Sequence, residues 1–277
     1  MSTGANPAGR LVYLCLTLSV LLAAGPLYYM VVMASRPNSD ITSVPPPLTP
    51  GGQLGANVRR VFDNQDVMFG QAMLNSVLVA AVATVSVVVL SALAGFAFAK
   101  LRFRGNNALL LVVIGTMMVP VQLGLVPLYM LMGKLGLAGT LPSALLPFLV
   151  SGFGVFMMRQ YAAQAIPTEL IEAARVDGAS TTRIFVSVVF PILRPAAAVL
   201  GLLTFMERWN DFLWPYLTLD AEHPTVQVAL SRLSSGYYTD QALVMAGTLI
   251  GTLPLVIVFI VFGRQIIGGI MQGGVKG

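Results

Sequence analysis

Glu172, Arg175 and Asp177 open a polar segment inside a very apolar chain; residues 172–195 read EAARVDGASTTRIFVSVVFPILRP. Two short helical pieces, EAAR and TTRIFVSVVF, meet at Asp177-Gly178. Glycine suits a sharp bend there because it tolerates positive φ. Ala173 and Ala174 leave one face nearly bare, so another protein can approach closely, and the three charged residues surround that face. This is docking chemistry. The simpler reading is a solvated Glu172–Arg175 pair at i,i+3, worth a few tenths of a kcal/mol.

A second segment runs Phe205-Met206-Glu207-Arg208-Trp209-Asn210-Asp211-Phe212-Leu213-Trp214-Pro215. Phe205, Trp209, Phe212 and Tyr216 recur at i, i+4, i+7 and i+11, the spacing of one helical face. Aromatic faces suit the C–H faces of sugar rings, and Asn210 and Asp211 supply donors and acceptors for hydroxyls. The same pattern also fits a Trp/Tyr belt at a membrane surface. Neither reading accounts for Glu207-Arg208.

Bond-making chemistry has little to work with. There is one histidine, His223, and one cysteine, Cys15, far apart in the chain. That excludes a disulfide framework and leaves no clustered acid, base or metal ligands for an intramembrane hydrolase. The nearest approach to a phosphate-binding loop is Gly133-Lys134, but Leu128 and Leu135 stand where that motif needs Gly and Ser or Thr. If the work done by this chain is driven by ATP, a separate subunit must bind the nucleotide.

The elements that position these segments are membrane spans. The chain is 56% hydrophobic and 10% charged, whereas soluble domains carry about 25% charged residues. A spanning helix needs about 20 apolar residues. Runs at 11–34, 72–99, 106–133, 135–158, about 195–216 and 242–263 satisfy this, predicting six helices in an all-α polytopic protein. Residues 35–71, with Pro45-Pro46-Pro47, read as an external loop, as do residues 217–240. Ten basic residues, including Lys100, Arg102, Arg104, Arg159, Arg175 and Arg183, fall on one side of this layout, and six on the other. The positive-inside rule makes the first side cytoplasmic, placing the polar knob and both termini there. The net charge of +5 reflects these span ends and not a nucleic-acid surface. Acidic residues are missing from the interiors of the second to fourth and sixth runs, which argues against an ion-coupled secondary transporter.

The knob resembles the EAA loop of ABC-transporter membrane subunits. Glu172, Ala173, Ala174, Gly178 and Pro191 fall on that pattern; Val188 and Phe190 stand where Ile and Leu are usual. Trp209-Asn210-Asp211-Phe212-Leu213 followed by Pro215 resembles the fifth-span signature of carbohydrate-uptake permeases. Asn75-Ser76, Pro120 and the ending Gly273-Gly274-Val275-Lys276-Gly277 are similar to the same group. The resemblance covers residues 70–277. It implies a type I ABC importer permease fold and division at 1–69, 70–265 and a cytoplasmic tail at 266–277. It also implies one membrane half of an ATP-driven importer for a di- or oligosaccharide, in the bacterial cell membrane. Glu172, Ala173, Ala174, Arg175, Asp177, Gly178 and Pro191 would couple to the ATPase. Gly273, Gly274 and Lys276 would reach it from the tail. Phe205, Trp209, Asn210 and Asp211 would line the substrate pathway. The implied partners are a second homologous permease, an ATPase dimer at the cytoplasmic face and an extracytoplasmic sugar-binding protein, which the loop holding His223, Tyr237 and Tyr238 could meet. This chain would bind no cofactor or metal, with ATP and Mg held by the ATPase. A permease for a non-sugar solute such as glycerol phosphate remains the alternative within the family.

Overall fold

The structure, a computed structural model, describes residues 9–235 and 239–274. Lys276 of the tail and Tyr237 and Tyr238 of the loop lie outside the described residues. The chain forms two compact units. Outside an isolated bridge between Gly139 and Leu219, the regular elements described are helical.

One unit holds Met1–Phe69 and Leu230–Thr252. It contains α1 (Arg10–Ala34), α2 (Asn38–Ile41) and α3 (Leu54–Asp63). α1 carries no charge beyond Arg10, and its candidate span, Leu11–Ala34, presents apolar side chains outward. The proline-rich segment after it is tied down by polar contacts. Arg36 donates to the Thr49 carbonyl at 2.9 Å and pairs with Asp40 at 3.1 Å. Buried Asn57 donates to the carbonyls of Ala34 and Arg36, both at 2.9 Å, satisfying groups that the end of α1 leaves open.

The other unit holds Gly70–Ala229 and Leu253–Gly277. Its helices are α4 (Phe69–Lys100), α5 (Asn106–Met117), α6 (Leu125–Lys134), α7 (Leu141–Leu145), α8 (Gly152–Ala165), α9 (Thr168–Val176), α10 (Thr181–Ile184), α11 (Phe190–Trp209) and α12 (Leu213–Thr218). α13 (Val226–Ser234) and α14 (Gln241–Gly274) are shared between the units. Five helical stretches are long and apolar enough to cross a membrane: Leu11–Ala34, Phe69–Lys100, Leu141–Ala165, Thr181–Trp209 and Gln241–Gly263. The pair Asn106–Met117 and Val121–Lys134 makes a sixth if it is one span bent by 88°.

Three spans differ from the sequence expectation, each for a local reason. The 106–133 run is not one helix. Pro120 takes an extended backbone (ψ 128) after the end of α5, and a short 3-10 turn, Val121–Gly124, restarts the chain. Proline disfavours helical geometry at its predecessor and removes an amide donor. The fourth span begins at Leu141 and not at 135, because Gly136 (φ 69) and Gly139 (φ 85) hold left-handed turns. The fifth begins at Thr181, well before Pro195. Pro191 and Pro195 are accommodated within it, and a π-helical stretch, Phe185–Val189, ends two residues before Pro191. A π-bulge takes up the spacing that proline disturbs when it clashes with the carbonyl four residues back.

The core of this unit is apolar and joins α4, α8, α9 and the 181–209 helix. Val87, Phe96, Met158, Ile166, Ile171, Ile184, Leu193 and Leu200 are buried together. At Gly95 an added Cβ would lie 2.7 Å from the Arg159 backbone nitrogen, so α4 and α8 touch backbone to backbone. Such contacts need a residue without a side chain and are a common device of membrane helices.

Candidate functional site

The polar knob is α9, a turn and the first turn of the long fifth span. Asp177 ends α9, and its backbone N–H reaches the Ala173 carbonyl. Gly178 follows with φ 74. Its N–H donates to the Arg175 carbonyl, and the Ala179 N–H donates to the Ala174 carbonyl, both at 3.0 Å. This pair of reversed bonds is a Schellman motif, which needs a left-handed residue at Gly178. Ser180 then caps the next helix, its hydroxyl accepting from the Arg183 N–H. The chain therefore reverses within a few residues with its helix ends satisfied.

Burial divides the knob into an anchor and a tip. Ile171 and Ile184 are 2% exposed and belong to the same core as Met158 and Leu193, with Ala174 packed against it. Glu172, Ala173, Arg175, Asp177 and Gly178 are exposed. The ion pairs of the described residues include neither Glu172 nor Arg175, so the i,i+3 pair of the simpler reading does not form. Val176 is 88% exposed at the tip. It escaped the sequence reading because one valine in a 56% hydrophobic chain carries no signal. Pro191 lies apart from the tip, at the start of α11. Gly273 and Gly274 lie at the end of α14.

The second segment does not form one aromatic face. The helix stops at Trp209, Asn210 caps it, and α12 begins at Leu213. Asn and Asp favour such breaks because their side chains bond nearby backbone. The Asn210 amide donates to the Met206 carbonyl at 2.9 Å, and an Asp211 carboxylate oxygen accepts from the Trp214 N–H at 3.4 Å. The four aromatics fall into two pairs: Phe205 stacked on Trp209 at 5.7 Å, and Phe212 with Tyr216 at 5.2 Å. Trp209 is 1% exposed. Phe205 borders an apolar cavity with Val258 and Phe262, while Asn210 is exposed.

The unexplained Glu207-Arg208 pair is the centre of a charge cluster. The Arg208 guanidinium pairs with Glu207 and, at 3.0 Å, with Asp211. It also lies 4.0 Å above the ring centre of Phe148, in cation–π geometry. Phe148 meets Trp214 edge-on at 6.0 Å, and the Trp214 indole N–H donates to the Ser143 carbonyl at 3.0 Å. The partners Ser143 and Phe148 come from far along the chain, beyond the reach of sequence spacing. Asp211 follows the end of the fifth span; burial pushes its carboxyl above the usual aspartate range, and the Arg208 charge opposes that shift. Glu207 and Arg208 line a cavity of about 600 Å³, together with Thr116, Ser151, Leu203 and Thr204.

Asn75 and Ser76, near the start of α4, organise the loop after α12. The Asn75 amide donates to the Pro224 carbonyl at 2.9 Å, and the Ser76 hydroxyl accepts from the Val226 N–H at 2.8 Å, capping α13. His223 bonds Asp220 and holds that exposed carboxyl below its usual range. Neither contact is catalytic in arrangement. Among the described residues no group of three His, Cys, Asp or Glu could hold a metal ion.

Residues 87–267 match the family described as "Binding-protein-dependent transport system inner membrane component". The chain belongs to this family. It is similar to the lactose transport system permease protein LacG of Rhizobium radiobacter, at 36% identity over 95% of each chain. Similarity extends to the arabinooligosaccharides transport system permease protein AraQ of Halalkalibacterium halodurans, at 33% over 92% of each. It also extends to the sn-glycerol-3-phosphate transport system permease protein UgpE of Yersinia pestis, at 32% over 94% of this chain and 95% of that one. A chain from the crystal structure of a bacterial ABC transporter involved in alginate import shares the fold, with TM-score 0.79 and 23% identity. The match covers 95% of this chain and all of that one. This protein is therefore a multi-pass inner membrane permease subunit of an ABC importer, a non-catalytic transport component. Transport by this family depends on a binding protein.

Proposed function

We propose that this permease forms half of the translocation pathway for a di- or oligosaccharide and docks its ATPase through residues 168–180. The observation that carries the coupling assignment is the knob itself. It has a bare, solvent-facing tip with Val176 at its apex, and Ile171 and Ile184 buried in the helical core behind it. A force on such a tip moves the core and not just a loop. Glu172, Ala173, Arg175, Asp177 and Gly178 form the docking surface, Ala174 seats it on the core, and Pro191 shapes the helix that carries motion away. Gly273 and Gly274 contact the same partner. ATP and Mg bind on the ATPase dimer, at the cytoplasmic face, where both termini of this chain also lie. A second homologous permease supplies the other half of the pathway.

The sugar assignment draws support from the lactose and arabinooligosaccharide relatives. The glycerol phosphate relatives, nearly as similar, favour a second reading, a phosphoester cargo. Asn210 and Asp211 contribute polar groups at the helix break, next in the chain to buried Trp209, on which Phe205 stacks. A panel of sugars and glycerol 3-phosphate, tested for binding to the cognate solute-binding protein by calorimetry, separates the readings. Selective binding of a di- or oligosaccharide is expected; selective binding of the phosphoester would overturn the sugar assignment.

A further inference from the structure

The Arg208 cluster decides what sign of charge the cavity shows to a solute. A free guanidinium on the wall would attract phosphate or carboxylate, which it recognises through paired N–H donors. Arg208 is not free. Its side chain is 9% exposed, two carboxylates pair with it, and its flat face covers Phe148. Glu207 is the reverse, with a side chain 69% exposed. Among the residues lining the 600 Å³ cavity, these two are the charged ones. One cation and two carboxylates, Glu207 and Asp211, leave the cluster with one net negative charge, displayed through Glu207. A charge on a low-dielectric wall acts strongly on a solute passing within a few ångströms.

We propose that Glu207 is a specificity-determining residue: it makes this cavity a filter that admits neutral polyhydroxy solutes, whose hydroxyls can donate to its carboxylate, and repels phosphoesters and sugar acids. Arg208 and Phe148 are positioning residues that hold Glu207 outward. The inference rests on the reading that cargo passes along this cavity. It gives the Glu207-Arg208 pair a role that neither the aromatic face nor the docking knob supplies.

The test measures the field in the cavity without needing the cargo. In the complete detergent-solubilised transporter, Cys15→Ser removes the native thiol of this chain. Leu203→Cys places one on the cavity wall, four residues before Glu207 at a site 46% exposed. The thiol is then modified with a cationic (trimethylammonium) or an anionic (sulfonate) methanethiosulfonate of similar size, followed by the mass of this chain. The ratio of cationic to anionic rates, relative to a free thiol, is expected to exceed one. Glu207→Gln should lower it roughly three- to tenfold, the effect of removing one charge one helical turn away at moderate salt, and Glu207→Asp should retain most of it. A ratio unchanged by Glu207→Gln overturns the filter and leaves the sugar reading standing. A thiol at 203 that reacts with neither reagent also overturns it, because the cavity is then closed to solute. A binding protein selective for a phosphoester overturns the sugar reading, whatever the ratio.

Discussion

Replacing Gly178 by valine isolates the geometry of the knob from its chemistry. The residue sits at φ 74, and an added Cβ meets no atom within 4 Å. The cost is therefore backbone strain and not a clash. Holding an L-residue in the left-handed region costs roughly 1–2 kcal/mol, and a β-branched side chain lies at the upper end. The turn can shed that strain by releasing the two Schellman bonds from Gly178 and Ala179, which would turn the tip of α9 away from its present direction. About 1–2 kcal/mol is a factor of roughly 5–30 in a two-state population, so the ratio of misdirected to correctly directed knobs would rise by that factor. Membrane insertion should be unaffected, because the tip is exposed and the anchors Ile171 and Ile184 remain. Gly178→Asn is the control, since asparagine tolerates the left-handed region. The assay is recovery of the ATPase with the purified membrane complex, beside uptake in the same vesicles. Gly178→Val should lower both by fivefold or more, and Gly178→Asn should stay within about twofold of the parent. A valine variant with full ATPase recovery and full uptake would refute the reasoning.

Three further outcomes are expected. Gly95→Ala forces the α4 and α8 backbones apart and should cost about 1–3 kcal/mol of overpacking, lowering the thermal inactivation temperature of the complex, whereas Gly115→Ala, with open space at its Cβ, should not. Trp209→Ala removes a buried ring and should cost roughly 3–5 kcal/mol of stability, while the concentration dependence of uptake by surviving complexes stays unchanged; a shift in that dependence without loss of stability would return Trp209 to direct sugar contact. Cysteines replacing Ser180 and Glu222, both exposed, should be labelled from the cytoplasm and from outside respectively, and labelling from one common side would reject the topology. Thr225 is 5% exposed and would be a poor reporter.

The family and the knob were legible in the sequence because fixed spacing carries them: EAA, the glycine four residues on and the later proline lie within one local segment. The turn at Gly178 could be anticipated from glycine chemistry alone. The spans were legible as apolar runs; the ends of the first and last match to within a residue, whereas the third, fourth and fifth do not. Pro195 suggested a helix start, whereas the helix absorbs Pro191 and Pro195 after a π-bulge. Pro120 lay inside an apolar run read as one span, yet it follows the end of a helix. The difference depends on whether neighbouring packing re-satisfies the freed backbone, which a linear reading does not contain. The aromatic spacing from Phe205 to Tyr216 assumed an unbroken helix, and Asn210 and Asp211 break it. Glu207-Arg208 had no explanation until Phe148, distant in sequence, came to lie beneath the guanidinium.

In the proposed coupling, residues 168–180 transmit force between ATPase and pathway by direct contact. A photo-crosslinking amino acid at Val176, irradiated in membranes holding the complete transporter, tests this most directly. A crosslink from this exposed tip to the ATPase subunit, identified by peptide mass, is expected, with a change in its yield when ATP is trapped on the ATPase. Crosslinks confined to lipid, or to the extracytoplasmic binding protein, would contradict it.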